Sequence, residues 1–279
     1  MAETADMIAY RQEYIAGFEQ RVSMFELAAT TEYVTSGNQA VFLVADSGGA
    51  EAVTRGVNGL IPSRADDNTQ YTCTLQEWHD KPVKTGFNIF KSQGDQRRIM
   101  QENSVGVIKR KIDDLCIAQL STATQDTGTS ATATVAMIQR GISILGRSDV
   151  PVEEEDNMFC ALSPSARAYL MEAPQFSSGD YVDIKMFNGA TKKMWRWNGC
   201  NFFISNRLSG IGTATENLLM FHRSALGYAA KKDALKVAVG YNEENDYYFA
   251  RSSLYGGAKI LDPSGVVILK HDGSASEAE

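Results

Sequence analysis

The sequence predicts an α+β protein, and three observations carry that assignment. Helical periodicity appears at length twice, near the start of the chain and again from about Asp95 to Leu120. Short alternating or wholly apolar runs, bounded by Gly, Asn, Asp and Pro, read as strands and gather toward the end. The hydrophobic content of 43% and charged content of 22% over 279 residues are those of a folded chain with a sizeable core.

Composition also narrows the function classes. No window approaches 18 uninterrupted apolar residues, so no membrane-spanning helix is expected. The opening MAETADMIAYRQEY is acidic and amphipathic, without the basic start and apolar run of a secretory signal, so the protein is expected to stay where it is made. A net charge of −7 and a pI near 5.1 disfavour a sequence-reading DNA binder. Cys73, Cys116, Cys160 and Cys200 have no CxxC spacing, and read as small buried hydrophobes in a reducing compartment.

In chain order, Met7, Tyr14, Phe18, Val22 and Phe25 fall on one helical stripe. Residues 1–35 carry six acids against Arg11 and Arg21, a local charge of −4. Such a stripe at the chain end covers its own domain or lies on a neighbour. Residues 36–68 are rich in Gly, Ser, Asn and Asp. They include Asp46-Ser47-Gly48-Gly49, the tetrad that surrounds a trypsin-like nucleophile. That triad needs a histidine before the serine, and His79, His222 and His271 all follow Ser47. Ala45 breaks the alternative G-x-S-x-G elbow. The tetrad therefore reads as a turn.

The stretch QYTCTLQEW alternates, with Tyr71, Cys73 and Leu75 on one face; HDKPVKTG turns and FNIF returns, predicting a hairpin-like extension. A lone two-stranded ribbon is marginal in water, so this one needs a surface to lie on. Next comes the long helix, with Asp95 as N-cap and Met100, Val107, Ile108, Ile112, Leu115 and Cys116 at helical spacing. Arg97 and Arg98 oppose the helix dipole at its start, and serve either an interaction or a solvated face.

After a Ser/Thr-rich break at 121–134, a second amphipathic helix spans Val135 to Leu145. An acidic loop, a buried strand from Met158 to Leu162, and a helix capped by Ser163 with Pro164 in its first turn follow. The run Glu153-Glu154-Glu155-Asp156 lacks calcium-loop spacing and reads as solvated. In MWRWNGCNFF, Trp195, Arg196 and Trp197 could stack a base or sugar, but their alternation around Asn198-Gly199 favours a packed hairpin. There is no H-E-x-x-H, Walker loop or G-x-G-x-x-G. The sequence is poor in catalytic groups, and neither a cofactor nor a metal is expected.

Three segments, in this order, resemble the major capsid proteins of tailed bacteriophages, the Hong Kong 97 fold. RRIMQENSVGVIKRKIDDLCIAQL resembles the family's spine helix, with Ile112-Asp113 near its end. DVPVEEEDNMFCALSPSARAYLM resembles its strand-to-helix step, matched by Val150-Pro151, Leu162-Ser163-Pro164 and Leu170-Met171. The C-terminal pattern is met by His222, Ala225, Gly256-Gly257, Asp262 and Gly265-Val266-Val267, which makes His222 a fold residue by analogy.

The resemblance implies an N-terminal arm (1–40), an extended loop region (41–94), a spine helix and peripheral domain (95–134), an axial domain (135–232), and return strands with an acidic tail (233–279). It implies self-assembly into hexamers and pentamers of an icosahedral shell around double-stranded DNA, in a virion capsid assembled in the host cytoplasm. With the arm at the start of the sequence, it further implies a separate scaffolding protein and a portal, and leaves a decoration protein open. The expected assembly contacts are Phe18, Phe25, Tyr71, Trp78, Lys84, Arg97 and Arg98. Two alternatives stay open: an encapsulin-like compartment shell, and a soluble α+β enzyme or ligand-binding protein using the Trp195–Trp197 region.

Overall fold

A computed structural model describes residues 22–47, 49–59, 61–65, 67–92, 95–174, 194–232 and 235–274. The chain forms two compact units. One is built from Glu77–Lys111 and Asp233–Tyr255, the other from Met24–Gln76, Ile112–Lys232 and Gly256–Glu279.

The larger unit is organised by a sheet whose central strand is the most apolar. Strand β6 (Met158–Leu162) is buried at all five positions, because it has a neighbour on each side and is covered on both faces. It pairs antiparallel with β9 (Glu216–His222) and parallel with β8 (Cys200–Ile204). Beyond these lie β13 (Val266–His271) and β7 (Trp195–Trp197), giving the order β13-β9-β6-β8-β7. Helix α4 (Val135–Arg147) is capped by Thr134, whose hydroxyl accepts from Met137 N at 3.3 Å. It lies so close to the sheet that a Cβ at Gly141 would stand 2.7 Å from Leu269 Cδ2 and 3.2 Å from Met220 Sδ. Helix α5 (Pro164–Glu172) starts as expected, with Ser163 Oγ accepting from Ala166 N at 3.1 Å.

A second layer of this unit pairs β1 (Thr30–Val34) parallel to β10 (Leu226–Lys231), which runs antiparallel to Gly256–Ile260 of the long strand β12 (Tyr247–Ile260). On it packs the ribbon of β2 (Gln39–Asp46) and β3 (Asp67–Thr74). Ala40, Phe42 and Cys73 from the ribbon form one buried cluster with Ala229 and Leu261. Gly257 permits this approach: a Cβ there would sit 2.6 Å from the Thr74 carbonyl oxygen.

The ribbon corrects one expectation. The alternation of residues 71–76 does mark a strand, but its partner is β2 and not FNIF. Phe87–Phe90 instead lie in a short helix, α2 (Gly86–Lys91), whose N-cap Thr85 accepts from Asn88 N at 3.3 Å. Period-2 patterning identifies a strand but carries no information about which strand pairs with it. A second difference concerns the N-terminal stripe. Helix α1 is only Met24–Ala28, and the β-branched Thr30, Thr31 and Val34 then form β1. Met7, Tyr14 and Phe18 lie outside the described residues.

The long helix α3 (Gln96–Leu120) forms as expected and, at 25 residues, is about 37 Å long. Asp95 Oδ1 accepts from the backbone N–H of both Arg97 and Arg98, at 3.2 Å each. Its buried side chains Met100, Ser104, Ile108, Ile112, Cys116 and Leu120 recur every four residues. Val107 falls off that stripe and is exposed.

The smaller unit is built on the first half of β12. Residues Tyr247–Ser253 pair with β11 (Lys236–Asn242). Strands β4 (Gln76–Asp80) and β5 (Val83–Thr85) also pair with β12.

Candidate assembly interface

Groups that suggested chemistry in the sequence are absorbed by structure. The Ser47 carbonyl oxygen accepts from Arg64 Nη1 and from Ala50 N, both at 3.2 Å, which closes the turn. His79 Nδ1 lies 2.8 Å from Ser253 Oγ and its Nε2 2.8 Å from Glu77 Oε1. His222 Nδ1 lies 2.6 Å from Ser224 Oγ and helps cap the 3-10 turn Arg223–Ala225. His271 is fully buried, with Nε2 3.4 Å from Ser165 Oγ. The four thiols are free and buried, and burial pushes Cys116, Cys160 and Cys200 far above the ordinary thiol range.

The acidic loop and the tryptophans form one packed corner of the larger unit. Arg196 reaches Glu155 Oε2 at 3.1 Å and also pairs with Asp156, while Glu154 Oε2 accepts from Asn157 Nδ2 at 2.7 Å. Trp195 stacks on Phe202 at 6.3 Å, and Trp197 is buried against the same ring. Asn198 (φ 47°) and Gly199 (φ 72°) make the tight hairpin turn. The aromatic faces are used in packing, so the ligand-binding reading of this region is withdrawn. Among the described residues, no group of three His, Cys, Asp or Glu side chains could hold a metal ion.

The expected contacts have separate fates. Phe18 lies outside the described residues. Phe25 is corrected: it is fully buried in its own chain, edge-on to Phe203 at 5.0 Å and stacked with Phe221 at 6.1 Å. Tyr71 is half-buried on β3, beside the Ala40–Phe42 cluster.

Trp78, Lys84 and Arg97 each have a partner within the smaller unit. Lys111 Nζ sits 3.9 Å from the Trp78 ring centroid, Arg97 lies 4.2 Å from that of Tyr248, and Lys84 donates to Gln96 Oε1. Lys81 Nζ lies 4.8 Å from the Phe249 centroid. Arg98 is exposed, with Glu102 at 3.9 Å. Each of Trp78, Lys84 and Arg97 is thus engaged within its own chain, with Lys111, the partner of Trp78, far along α3 from Arg97.

Sequence reasoning missed the apolar surface. On the larger unit, Val41 and Leu43 point outward from β2, Leu43 at 73% exposure, and Val53, Val57 and Ile61 are exposed in the loop beyond. On the smaller unit, Phe87 and Phe90 stand 70% and 86% exposed on α2, next to exposed Val83. The available signal was in β2: Ala40-Val41-Phe42-Leu43-Val44 is apolar on both faces, although only one face is covered by its own chain. Exposed apolar groups in such clusters mark contact sites.

No curated protein sequence matches the chain. Among the described residues, no helix is long and apolar enough to cross a membrane. Solved structures do match over nearly the full length. A protein of Mycobacterium phage Che8 superposes with a TM-score of 0.75 at 16% identity, covering 96% of this chain and 98% of that one. The capsid structure of Cyanophage P-SCSP1u gives 0.70 at 14% identity, covering 97% and 94%. The capsid of Ralstonia phage GP4 gives 0.69 at 12%, covering 99% and 97%. At such identities these likenesses establish a shared fold, that of the Hong Kong 97-like capsids. A family model described as phage capsid protein matches residues 6–273, which sets aside the compartment-shell and enzyme alternatives. The chain therefore belongs to the phage capsid protein family.

Proposed function

We propose that this protein is the repeating subunit of a closed icosahedral shell, built of hexamers and pentamers around packaged double-stranded DNA. The observation that carries the reading is β2. Ala40 and Phe42 anchor one face of the ribbon in the core, while Val41 and Leu43 present the other to solvent. A neighbouring copy supplies the missing cover. Heterologous contacts of this kind close into rings, and many weak contacts per subunit add up to a stable shell.

In this reading residues 1–40 are the arm and residues 41–94 the extended loop region, which includes most of the β2–β3 ribbon. Residues 95–134, 135–232 and 233–279 supply the spine with peripheral domain, the axial domain, and the return strands with their tail. Assembly takes place in the host cytoplasm on a separate scaffold and around a portal. Contact with DNA is electrostatically loose, in keeping with a net charge of −7.

The test is sedimentation and negative-stain microscopy of the protein, with and without its scaffold. Rings, shells or tubes of uniform subunits are expected. A persistent 30.6 kDa monomer under both conditions would overturn the proposal. Because Met24, Phe25 and Ala28 are buried in the core, the deletion that tests the arm stops at residue 21; it is expected to leave a soluble core that does not close shells, and normal particles from it would remove the arm as a clasp.

A further inference from the structure

Strand β11 is the outermost strand of its sheet. β12 pairs with one of its edges, and no described strand pairs with the other. A row of backbone donors and acceptors along its seven residues is therefore open, and an open edge is a template for another strand. Proline and bulges commonly blunt such edges, but β11 has no proline and its register with β12 is unbroken. Alternation puts Val237, Val239 and Tyr241 on one face, and Val239 and Tyr241 are 45% and 46% exposed.

The two ends of the strand differ in charge. Lys231, Lys232 and Lys236 stand at its start against Asp233, while Glu243, Glu244 and Asp246 follow its end. Lys236, Glu243 and Glu244 are exposed and have no side-chain partner among the described residues. An occupant of this edge must be a strand with the opposite polarity and an apolar face. Every other described strand with an open edge carries charge of one sign only. β4 is followed by Lys81, but that lysine lies on the Phe249 ring and Glu77 is held by His79.

A second copy of β11, antiparallel about a two-fold axis at Val239, meets both requirements. All seven residues then pair. Val239 faces its own symmetry mate, Val237 lies opposite Tyr241, and Lys236 lies opposite Asn242 and diagonal to Glu244, a spacing that long side chains bridge. A slip of one residue would set each apolar face against the other copy's polar face. We infer that the open edge of β11 pairs antiparallel with the same edge of a second copy across a two-fold axis. The inference rests on the shell reading, in which ring contacts are heterologous; an isologous contact of this kind joins subunits of adjacent rings.

The test uses the full chain assembled with its scaffold, under mild oxidation. V239C is expected to give disulfide-linked dimers, because directly opposed residues of antiparallel strands have Cα atoms about 4.5–5.5 Å apart, within disulfide reach. The four native thiols are buried and do not compete. K236C alone should give no dimer, since its symmetry mate is about 20 Å away along the strand. Particles co-assembled from K236C and N242C should give dimers, a readout that leaves position 239 intact. K236E should lower the V239C dimer yield severalfold, and adding E244K should restore it. Shells of normal yield with no dimer from either design, dimers from K236C alone, or a yield indifferent to K236E would each overturn the inference and leave the shell reading intact. Failure of the parent chain to assemble would remove both.

Discussion

Replacing Phe25 with alanine separates two roles that its place on the N-terminal stripe left equally open. In the structure the ring is fully buried, edge-on to Phe203 at 86° and nearly parallel to Phe221 at 11°. Removing a buried phenylalanine typically costs about 3–5 kcal/mol, and each aromatic pair adds roughly 0.5–1.5 kcal/mol beyond its buried area. We expect a loss of about 4 kcal/mol, a large share of the roughly 5–15 kcal/mol that stabilises a typical domain. The assay is urea unfolding of the unassembled chain followed by circular dichroism, where the midpoint should fall with little change in slope. Phe25→Leu keeps most of the volume and should cost about 1.5 kcal/mol, which guards against the alanine variant failing to fold. Particle yield, normalised to folded protein, should be unchanged for the leucine variant. An alanine variant within about 1 kcal/mol of the parent that nevertheless lost all particles would refute the core assignment. Phe25 would then face a neighbour after all.

Gly257→Ala should cost about 1–3 kcal/mol and speed amide exchange along β3, because its Cβ would meet the Thr74 carbonyl oxygen at 2.6 Å and Cys73 Sγ at 3.2 Å. Gly256→Ala should cost less, since its nearest neighbours, Tyr228 Oη at 3.1 Å and Ala229 O at 3.3 Å, need give only slightly; equal costs would show that the close crossing of β3 is not the constraint. Burial holds His222 below the ordinary imidazole value of 6.5, with Glu154 pulling weakly the other way, so the unfolded chain takes up the proton first. Stability should therefore decline as pH falls below 6.5, and His222→Asn should flatten that decline; an unchanged slope in the variant would assign it to other groups. The native protein should react slowly with a thiol reagent and release four equivalents on unfolding, because Cys73, Cys116, Cys160 and Cys200 are all buried and their thiols are shifted upward. Rapid labelling of one thiol in the native state would show that its cover opens.

The local elements were legible because their causes are local. Thr134, Ser163 and Asp95 each accept hydrogen bonds from backbone N–H groups two or three residues ahead, a pattern confined to one stretch of sequence. Asn198-Gly199 adopts the two positive φ values that a tight hairpin requires. The five-residue apolar run at β6 signals a strand buried on both faces. Each of these features costs or stabilises within one turn of chain, so neighbours in sequence suffice to specify it.

What failed to be legible depends on residues far apart. Tyr71, Cys73 and Leu75 alternate whether their strand pairs with Phe87–Phe90 or with β2, and the choice fell to β2 because Ala40 and Phe42 complete a cluster with Ala229 and Leu261. The expected contacts Trp78, Lys84 and Arg97 follow from their places on the extended loop and at the start of the spine helix in the family resemblance. Their partners Lys111, Gln96 and Tyr248 come into reach only after β5 pairs with β12 and α3 forms.

The sequence by itself determined the α+β class, the existence of the long helix near 95–120, of the helix starting at Val135 and of the helix capped by Ser163, the buried thiols and the absence of a serine triad, all from periodicity, capping and residue order. Tertiary structure alone decided that Phe25 is core and that Leu43, Phe87 and Phe90 are surface. Periodicity marks a residue as apolar and aligned with others, but burial is a property of what packs against it, and that is settled only when distant segments meet.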